Sequence, residues 1–136
     1  MFTKNHCLQG DESFMKILIV DDSSMTRNFH AYVLRSAGHE VISAIDGADA
    51  LEKLYIEADI DCVLTDINMP NMDGFTLIKK IRQNEEFKNI PIIILSTLDQ
   101  VADKRKGFEA GANFYLVKPV KPTVLIETLR MILKVE

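Results

Sequence analysis

Several apolar runs of this 136-residue chain end abruptly in side chains that could take part in chemistry. In order along the chain, these side chains are Asp21 and Asp22, Asp66, Ser96, and Lys118. Clustered carboxylates repel one another, so a small divalent ion with oxygen ligands, by preference Mg²⁺, would stabilise them together. One carboxylate could then attack phosphorus and form an aspartyl-phosphate, while the hydroxyl and the ammonium bind phosphoryl oxygens. The residue types therefore suggest Asp66 as a nucleophile in metal-assisted phosphoryl transfer.

The elements that must bring these groups together alternate along the chain as five strands and five helices. Two strand candidates contain the runs ILIV and IIIL, which indicate burial on both faces of a parallel sheet. Strict alternation predicts an α/β fold, a doubly wound (βα)5 sandwich with helices on both faces of the sheet. Ligands of such sheets bind beyond the carboxyl edge, where all these side chains are expected. The predicted strands are Ile17–Asp21, Glu40–Ile45, Asp61–Thr65, Pro91–Ser96 and Asn113–Lys118.

The helices are predicted from apolar periodicity and from capping residues. Met25, Phe29 and Val33 fall at i, i+4 and i+8, which predicts the buried face of the first helix, with Gly38 as its stop. The second helix is expected from about Gly47 to Ala58, with one side formed by Ala48, Leu51, Leu54, Tyr55 and Ala58. The other three are expected to start near Asp73, Leu98 and Pro122, with Gly111 ending the fourth and Lys134 near the end of the fifth.

The composition is that of one soluble globular domain. Apolar residues make up 47% and charged residues 26%, and the net charge of −4 argues against a basic nucleic-acid footprint. No apolar run is long enough to span a membrane. The two cysteines, Cys7 and Cys62, suggest reduced thiols in the cytoplasm. Residues 1–14 are expected to form a flexible N-terminal extension, and residues 15–136 the domain itself.

Each candidate side chain also has an ordinary structural explanation. Asp22 could cap a helix, Lys118 could be a solvated charge, and Ser96 could close a turn. Asp66 is harder to explain in this way, because Asn68 and a turn intervene before the next helix. Independent coincidence is also a poor explanation for charged groups of complementary sign at three of five strand ends.

Four motifs, in this order, resemble the receiver domain of two-component response regulators: ILIVDDS (17–23), DCVLTDINMPNMDG (61–74), PIIILST (91–97) and YLVKP (115–119). The resemblance covers Lys16 to about Val135 and is strongest to stand-alone receivers of the chemotaxis CheY type. It implies the strand order 2-1-3-4-5, which is the known order of flavodoxin and CheY.

The resemblance also implies a role for each matching residue. Asp66 would be the phosphoacceptor, and Asp22, Asp66 and the backbone carbonyl of Asn68 would bind Mg²⁺, with Asp21 acting through the water shell. Ser96 would bond to the phosphoryl group and Lys118 would pair with it. A cis peptide is implied between Lys118 and Pro119. Tyr115 matches the aromatic switch position of the family and would turn inward when the Ser96 hydroxyl moves to the phosphate.

Two residues beside the predicted pocket depart from the commonest family pattern or lack a useful polar group. Thr97 stands where many members carry Ala or Gly, so we expect slower loading from small phosphodonors. Leu98 offers no polar group to orient an attacking water, so we expect a longer-lived phosphoryl form.

The predicted function is a phosphorylation-controlled binding module that catalyses only its own phosphorylation and dephosphorylation. Its partners would be a sensor histidine kinase or histidine phosphotransfer protein and an effector that binds the surface of the fourth helix, fifth strand and fifth helix. No direct contact with nucleic acid or membrane is expected, and the chain would be a monomer or a phosphorylation-linked dimer. A phosphorelay intermediate and a receiver fragment of a larger regulator remain open, although no output domain follows the fifth helix before Glu136.

Two other classes of protein fit the sequence poorly. An aspartate-nucleophile phosphatase of the haloacid dehalogenase type usually has a second Asp two places after the nucleophile, where this chain has Asn68. A flavodoxin-like nucleotide or flavin binder needs a phosphate loop after the first strand. The segment DDSSMTR begins instead with two carboxylates, which would repel a phosphate group in the absence of a metal.

Overall fold

The computed structural model describes residues 14–135, and within them five strands and five helices alternate strictly. The strands are β1 (Lys16–Val20), β2 (Glu40–Ala44), β3 (Cys62–Thr65), β4 (Ile92–Ser96) and β5 (Phe114–Val117). The helices are α1 (Ser24–Ser36), α2 (Gly47–Ile56), α3 (Gly74–Gln83), α4 (Val101–Ala110) and α5 (Pro122–Val135). Except for Phe14, the predicted extension over residues 1–14 lies outside the described residues.

All five strands are parallel and lie in the order β2-β1-β3-β4-β5. The predicted fold class and strand order are therefore confirmed. The chain adds β2 on one side of β1 and then returns to add β3 on the other side, so the order reverses between β1 and β3. Val20 and Thr65 end these two strands and pair with each other in register. The residues directly after them, Asp21 and Asp66, consequently lie at the topological switch point.

The central strands are buried on both faces, as the runs ILIV and IIIL predict. In β1 and β4, the even-numbered apolar residues join a cluster covered by α2, α3 and α4. The odd-numbered residues join a second cluster covered by α1 and α5. Full burial of one such aliphatic side chain stabilises the fold by about 2 kcal/mol, so the two clusters make the sheet a rigid base for its carboxyl edge.

The predicted buried face of α1 is wrong for Met25 and Phe29, whereas Val33 is partly buried and packs against the core. Met25 is 81% exposed and Phe29 is 51% exposed, whereas Ala31 and Leu34 are buried against the sheet. The small Ala31 side chain allows α1 to lie close to the sheet, and this choice of face turns Met25 and Phe29 to solvent. Periodicity alone did not distinguish between the two faces, because both carry apolar residues at helical spacing.

The predictions for the other helices are confirmed in part. Helix α2 ends at Ile56, with Ala48 and Tyr55 exposed and Leu54 buried, so its predicted side is only partly correct. Helix α4 begins at Val101 and not at Leu98. The Asp73 N-cap and the Gly111 C-cap are confirmed. Leu77, Ile78 and Ile81 of α3 and Leu125, Leu129 and Ile132 of α5 are buried against the sheet. Within residues 14–135, no helix combines the length and apolarity needed to cross a membrane.

Candidate functional site

The strands place the predicted side chains together at the carboxyl edge of the sheet. The amide of Asp21 donates to the carbonyl of Ala44 at 3.1 Å, and the amide of Asp66 donates to the carbonyl of Val20 at 3.0 Å. These bonds continue the strand ladders by one residue, so both aspartates are held in the register of neighbouring strands. Backbone pairing, not loop conformation, therefore determines where the two carboxylates lie.

Lys118 reaches from the end of β5 to both of these carboxylates. Its Nζ donates to Asp21 Oδ2 at 3.1 Å and to Asp66 Oδ2 at 3.3 Å. The backbone of Lys118 is fixed as well, because its amide donates to the Ser96 carbonyl at 2.8 Å. The peptide between Lys118 and Pro119 is cis, as predicted. The ammonium thus pairs with two carboxylates from different strands, which a solvated surface lysine would not do.

Three carboxylates at this edge are close enough to share one cation. Asp21, Asp22 and Asp66 can each offer an oxygen such that the three atoms lie within 4.8 Å of one another. Asp21 is buried, Asp66 is half-buried and Asp22 is exposed, so the group opens to solvent on one side. Within residues 14–135, no hydrogen bond reaches the carbonyl oxygen of Asn68. Hard oxygen ligands with one open side fit Mg²⁺, which retains several of its waters when bound.

The environment of Asp66 opposes its ionisation, although specific partners favour it. Burial raises the pKa of Asp66, and the nearby Asp21 carboxylate raises it further. The Ile67 amide, which donates to Asp66 Oδ1 at 2.7 Å, and the Lys118 ammonium both lower that pKa without cancelling the rise. Because the pKa of Asp66 is raised overall, its ionised form is less favourable here than in water, and an added cation would stabilise it.

The β1–α1 turn is ordered by groups that sequence reasoning did not single out. Ser23, not Asp22, is the N-cap of α1, so capping does not explain Asp22. The amide of Ser23 donates to Asp21 Oδ1 at 2.9 Å, and Arg27 Nη1 donates to the Asp21 carbonyl at 2.7 Å. The Arg27 guanidinium thereby helps to hold the backbone of this turn. The sequence predicts that Arg27 lies in the first turns of α1. The direction of its side chain depends on the fold and could not be predicted.

Ser96, Leu98 and Tyr115 are linked by hydrogen bonds at the ends of β4 and β5. The buried Ser96 Oγ accepts from the Leu98 amide at 3.1 Å, and the Tyr115 hydroxyl donates to the Leu98 carbonyl at 2.7 Å. Burial raises the pKa of Tyr115, which further favours the protonated hydroxyl. The Tyr115 ring lies against Gly107 of α4, where an added Cβ would come within 3.1 Å of ring atom Cδ2. The predicted switch pair, Ser96 and Tyr115, is therefore connected through the backbone of Leu98 and also by direct contact of the two side chains.

The fold and this edge define a class of protein: a doubly wound α/β domain with a carboxylate cluster that could hold a cation and a lysine at its switch point. The family model described as the response regulator receiver domain matches residues 17–130. The chain belongs to this family. Among its relatives, the chemotaxis protein CheY1 of Helicobacter pylori is 44% identical over 120 residues, which cover 88% of this chain and 97% of CheY1.

Solved structures of receiver domains have the same fold. Chemotaxis protein CheY4 of Vibrio cholerae superposes with a TM-score of 0.82 at 38% identity, covering 88% of this chain and 98% of CheY4. The receiver domain of the sensor histidine kinase PA1611 of Pseudomonas aeruginosa PAO1 gives a TM-score of 0.81 at 30% identity, covering 88% and 98% of the two chains. That domain was solved with a magnesium ion coordinated in its active site cleft.

Proposed function

We propose that this chain is a single-domain response regulator that accepts a phosphoryl group on Asp66 from a sensor histidine kinase or a histidine phosphotransfer protein. The observation that supports it most directly is the ion pair of Lys118 with Asp66 and Asp21, at 3.3 and 3.1 Å, beside a cluster of three carboxylates. The residues that phosphoryl transfer needs come from four strand ends, and no other arrangement of the described carboxylates places three such groups together.

The chemistry assigned to each residue follows from its position. A carboxylate oxygen of Asp66 forms a bond to phosphorus as the bond from phosphorus to the donor nitrogen breaks, and the electron pair leaves with that nitrogen. Lys118 and the Ser96 hydroxyl would then bind phosphoryl oxygens. Asp21, Asp22, Asp66 and the Asn68 carbonyl would hold Mg²⁺, which neutralises charge on those oxygens when bound. Asn68 provides no acid two places after Asp66, so turnover on a separate substrate is not proposed.

The signal would leave through the surface of α4, β5 and α5. Every residue of β5 is half-buried at the edge of the sheet, and large apolar side chains are exposed on both flanking helices. These are Val101 and Phe108 on α4 and Val124 and Met131 on α5. When the Ser96 hydroxyl bonds to a phosphoryl group, it would release the amide of Leu98. The carbonyl of Leu98 accepts from the Tyr115 hydroxyl, so the change would reach Tyr115 through Leu98. The phosphoryl group would thereby shift a balance between two forms of this surface.

We propose control of motility as the pathway, because the relatives of nearly the same length are named as chemotaxis proteins. The site would operate in the cytoplasm, and the chain would act as a monomer or a phosphorylation-linked dimer. A phosphorelay intermediate or the receiver of a larger regulator would use the same site. These alternatives differ in the downstream partner and not in the chemistry at Asp66.

The first test is intact mass after incubation with acetyl phosphate and Mg²⁺. The wild type is expected to gain one phosphoryl group, and Asp66→Asn or added EDTA is expected to abolish the gain. Asp99→Asn, which changes an exposed carboxylate beyond β4, serves as the matched control and should be modified like the wild type. If no donor, a histidine kinase included, modifies the wild type, the proposed chemistry is wrong and the chain signals by binding alone.

Thr97→Ala is expected to speed loading from acetyl phosphate several-fold. Thr97 is exposed and directly follows the buried Ser96, so a branched side chain at this position would narrow access to the site. The measurement is the initial rate of phosphorylation at fixed Mg²⁺, with Thr97→Val as the control that retains the shape but not the hydroxyl. A Thr97→Ala rate equal to that of the wild type would mean that this residue does not limit access.

Leu98→Glu is expected to shorten the lifetime of the aspartyl-phosphate several-fold, because a carboxylate two places beyond Ser96 could orient an attacking water. Leu98 also packs partly against the core, so Leu98→Ala is the control for lost packing. The lifetime is measured by following the decay of phosphorylated mass after the donor is removed. Equal lifetimes in Leu98→Glu and the wild type would remove the basis for this role.

A further inference from the structure

Asp46 is a buried carboxylate that the proposed chemistry does not use. It precedes α2, and the residue is 4% exposed. Its Oδ1 accepts from the Asp49 amide at 2.8 Å, which is an ordinary helix N-cap. Its Oδ2 accepts from Asn71 Nδ2 at 2.7 Å, across 25 residues of chain. Because a cap requires only one oxygen, capping leaves the contact with Asn71 unexplained.

Asn71 lies in the β3–α3 loop (residues 66–73), which also carries the Asn68 carbonyl. Its φ of +67° is in the left-handed region, which Asn tolerates better than most residues. Next to it, the Gly47 amide donates to the Met72 carbonyl at 3.3 Å. A Cβ on Gly47 would lie only 2.8 Å from Met72 Cγ, so the backbone of α2 approaches the loop closely here. The tip of the loop is therefore attached to the start of α2.

The base of the loop is held separately from this tip. The Gly74 amide donates to the Ile67 carbonyl at 2.8 Å, and the Ile67 side chain is fully buried. Asn68 lies between the two attachments and is exposed. The path of the backbone at Asn68 therefore depends on both the base and the tip, and the Asp46–Asn71 hydrogen bond is the polar side-chain contact at the tip.

We propose that Asp46 and Asn71 are positioning residues for the cation site: their hydrogen bond fixes the tip of the loop that carries the Asn68 carbonyl, a proposed ligand of that site. This inference rests on the proposed function, because it assumes that the site binds Mg²⁺. Neither side chain touches the ion or the phosphoryl group. Mg²⁺ demands near-ideal ligand geometry, so a small displacement of one oxygen ligand would weaken its binding. The bond with Asn71 also lowers the pKa of Asp46, as expected for a charge-assisted bond to the ionised carboxylate.

The test is the Kd for Mg²⁺, measured by titration calorimetry on the whole chain. Asn71→Ala removes the bond and leaves the α2 cap in place, and we expect its Kd to rise about tenfold, the usual effect of losing a residue that orients a metal ligand. The exchange variant Asp46→Asn with Asn71→Asp reverses donor and acceptor, and we expect it to recover most of the wild-type affinity. Ala48→Gly, at an exposed site of α2, is the control for stability alone and should bind Mg²⁺ like the wild type.

The outcomes separate this inference from the proposed function. If the wild type binds Mg²⁺ and Asn71→Ala binds it within twofold of the wild type, the positioning role is wrong while the proposed function stands. If Ala48→Gly weakens binding as much as Asn71→Ala does, the effect is one of general stability and the positioning role is again wrong. If the wild type itself binds no Mg²⁺, both the proposed function and this inference fail.

Discussion

Gly74→Ala is expected to lower the free energy of unfolding by about 3 kcal/mol and to prevent normal phosphorylation of Asp66. A Cβ at this position would collide with the backbone carbonyl oxygen of Asp66 and would lie 2.9 Å from the Cα of Ile67. Both obstacles are backbone atoms, so the collision cannot be relieved by rotating a side chain. Overpacking of this kind typically costs up to ~3 kcal/mol, and here it would displace the proposed phosphoacceptor itself.

Urea unfolding followed by circular dichroism measures the stability, and intact mass after incubation with acetyl phosphate measures the site. Gly38→Ala is the matched control, because Gly38 has a φ of +97° but nothing within 4 Å of an added Cβ. That substitution should cost roughly 1 kcal/mol through backbone strain and leave phosphorylation unchanged. A Gly74→Ala chain that is as stable as the wild type would contradict the close approach of α3 to Asp66.

Asp66→Asn is expected to stabilise the folded chain at pH 7 in the absence of divalent cations. Burial and the Asp21 carboxylate raise the pKa of Asp66 in the folded state, so folding favours its protonated form. The stability contributed by this group is complete below its unfolded pKa and is lost as the pH rises through the folded value. At pH 7 the ionised group is therefore unfavourable, and a neutral amide should raise the free energy of unfolding by roughly 1 kcal/mol, as is common at functional sites.

The measurement is urea unfolding of both chains at pH 7 and at pH 4, with EDTA and then with excess Mg²⁺. The stabilising effect should shrink at pH 4, and Mg²⁺ should stabilise the wild type more than the variant. Glu109→Gln, which neutralises an exposed carboxylate on α4, should change stability by less than about 0.5 kcal/mol. Equal stability of Asp66→Asn and the wild type at pH 7 would show that the ionised form of Asp66 does not destabilise the folded chain.

The strands and the acidic edge were predictable because each rests on local pattern and on one general rule. Apolar runs gave strand bounds to within one residue, and parallel strands necessarily share a carboxyl edge. Asp66 was identifiable because a buried strand ended in a carboxylate with no helix directly behind it. The roles of the individual residues remain predictions, which the experiments above test.

Other features could not be read from the sequence, because they depend on tertiary contacts. Helix α4 starts at Val101 and not at Leu98, since the amide and carbonyl of Leu98 are bonded to Ser96 and Tyr115 and the Gln100 amide is bonded to Asp103. Helix α1 carries apolar residues on two faces, and the face that packs against the sheet is the one with the small Ala31 side chain. The Asp46–Asn71 bond joins loops that follow different strands, and no local pattern indicates such a partner.

The alternation of the two core clusters along β1 and β4 has a consequence for how the chain can vary in length. Removing one residue from β1 would transfer every later side chain of that strand to the opposite face, exchanging residues between the two clusters. It would also draw Asp21 and Asp22 back by about 3 Å from the edge. Substitution of one aliphatic residue for another is a much smaller change. Insertions and deletions should consequently be confined to loops that neither pack in the core nor form the carboxyl edge of the sheet.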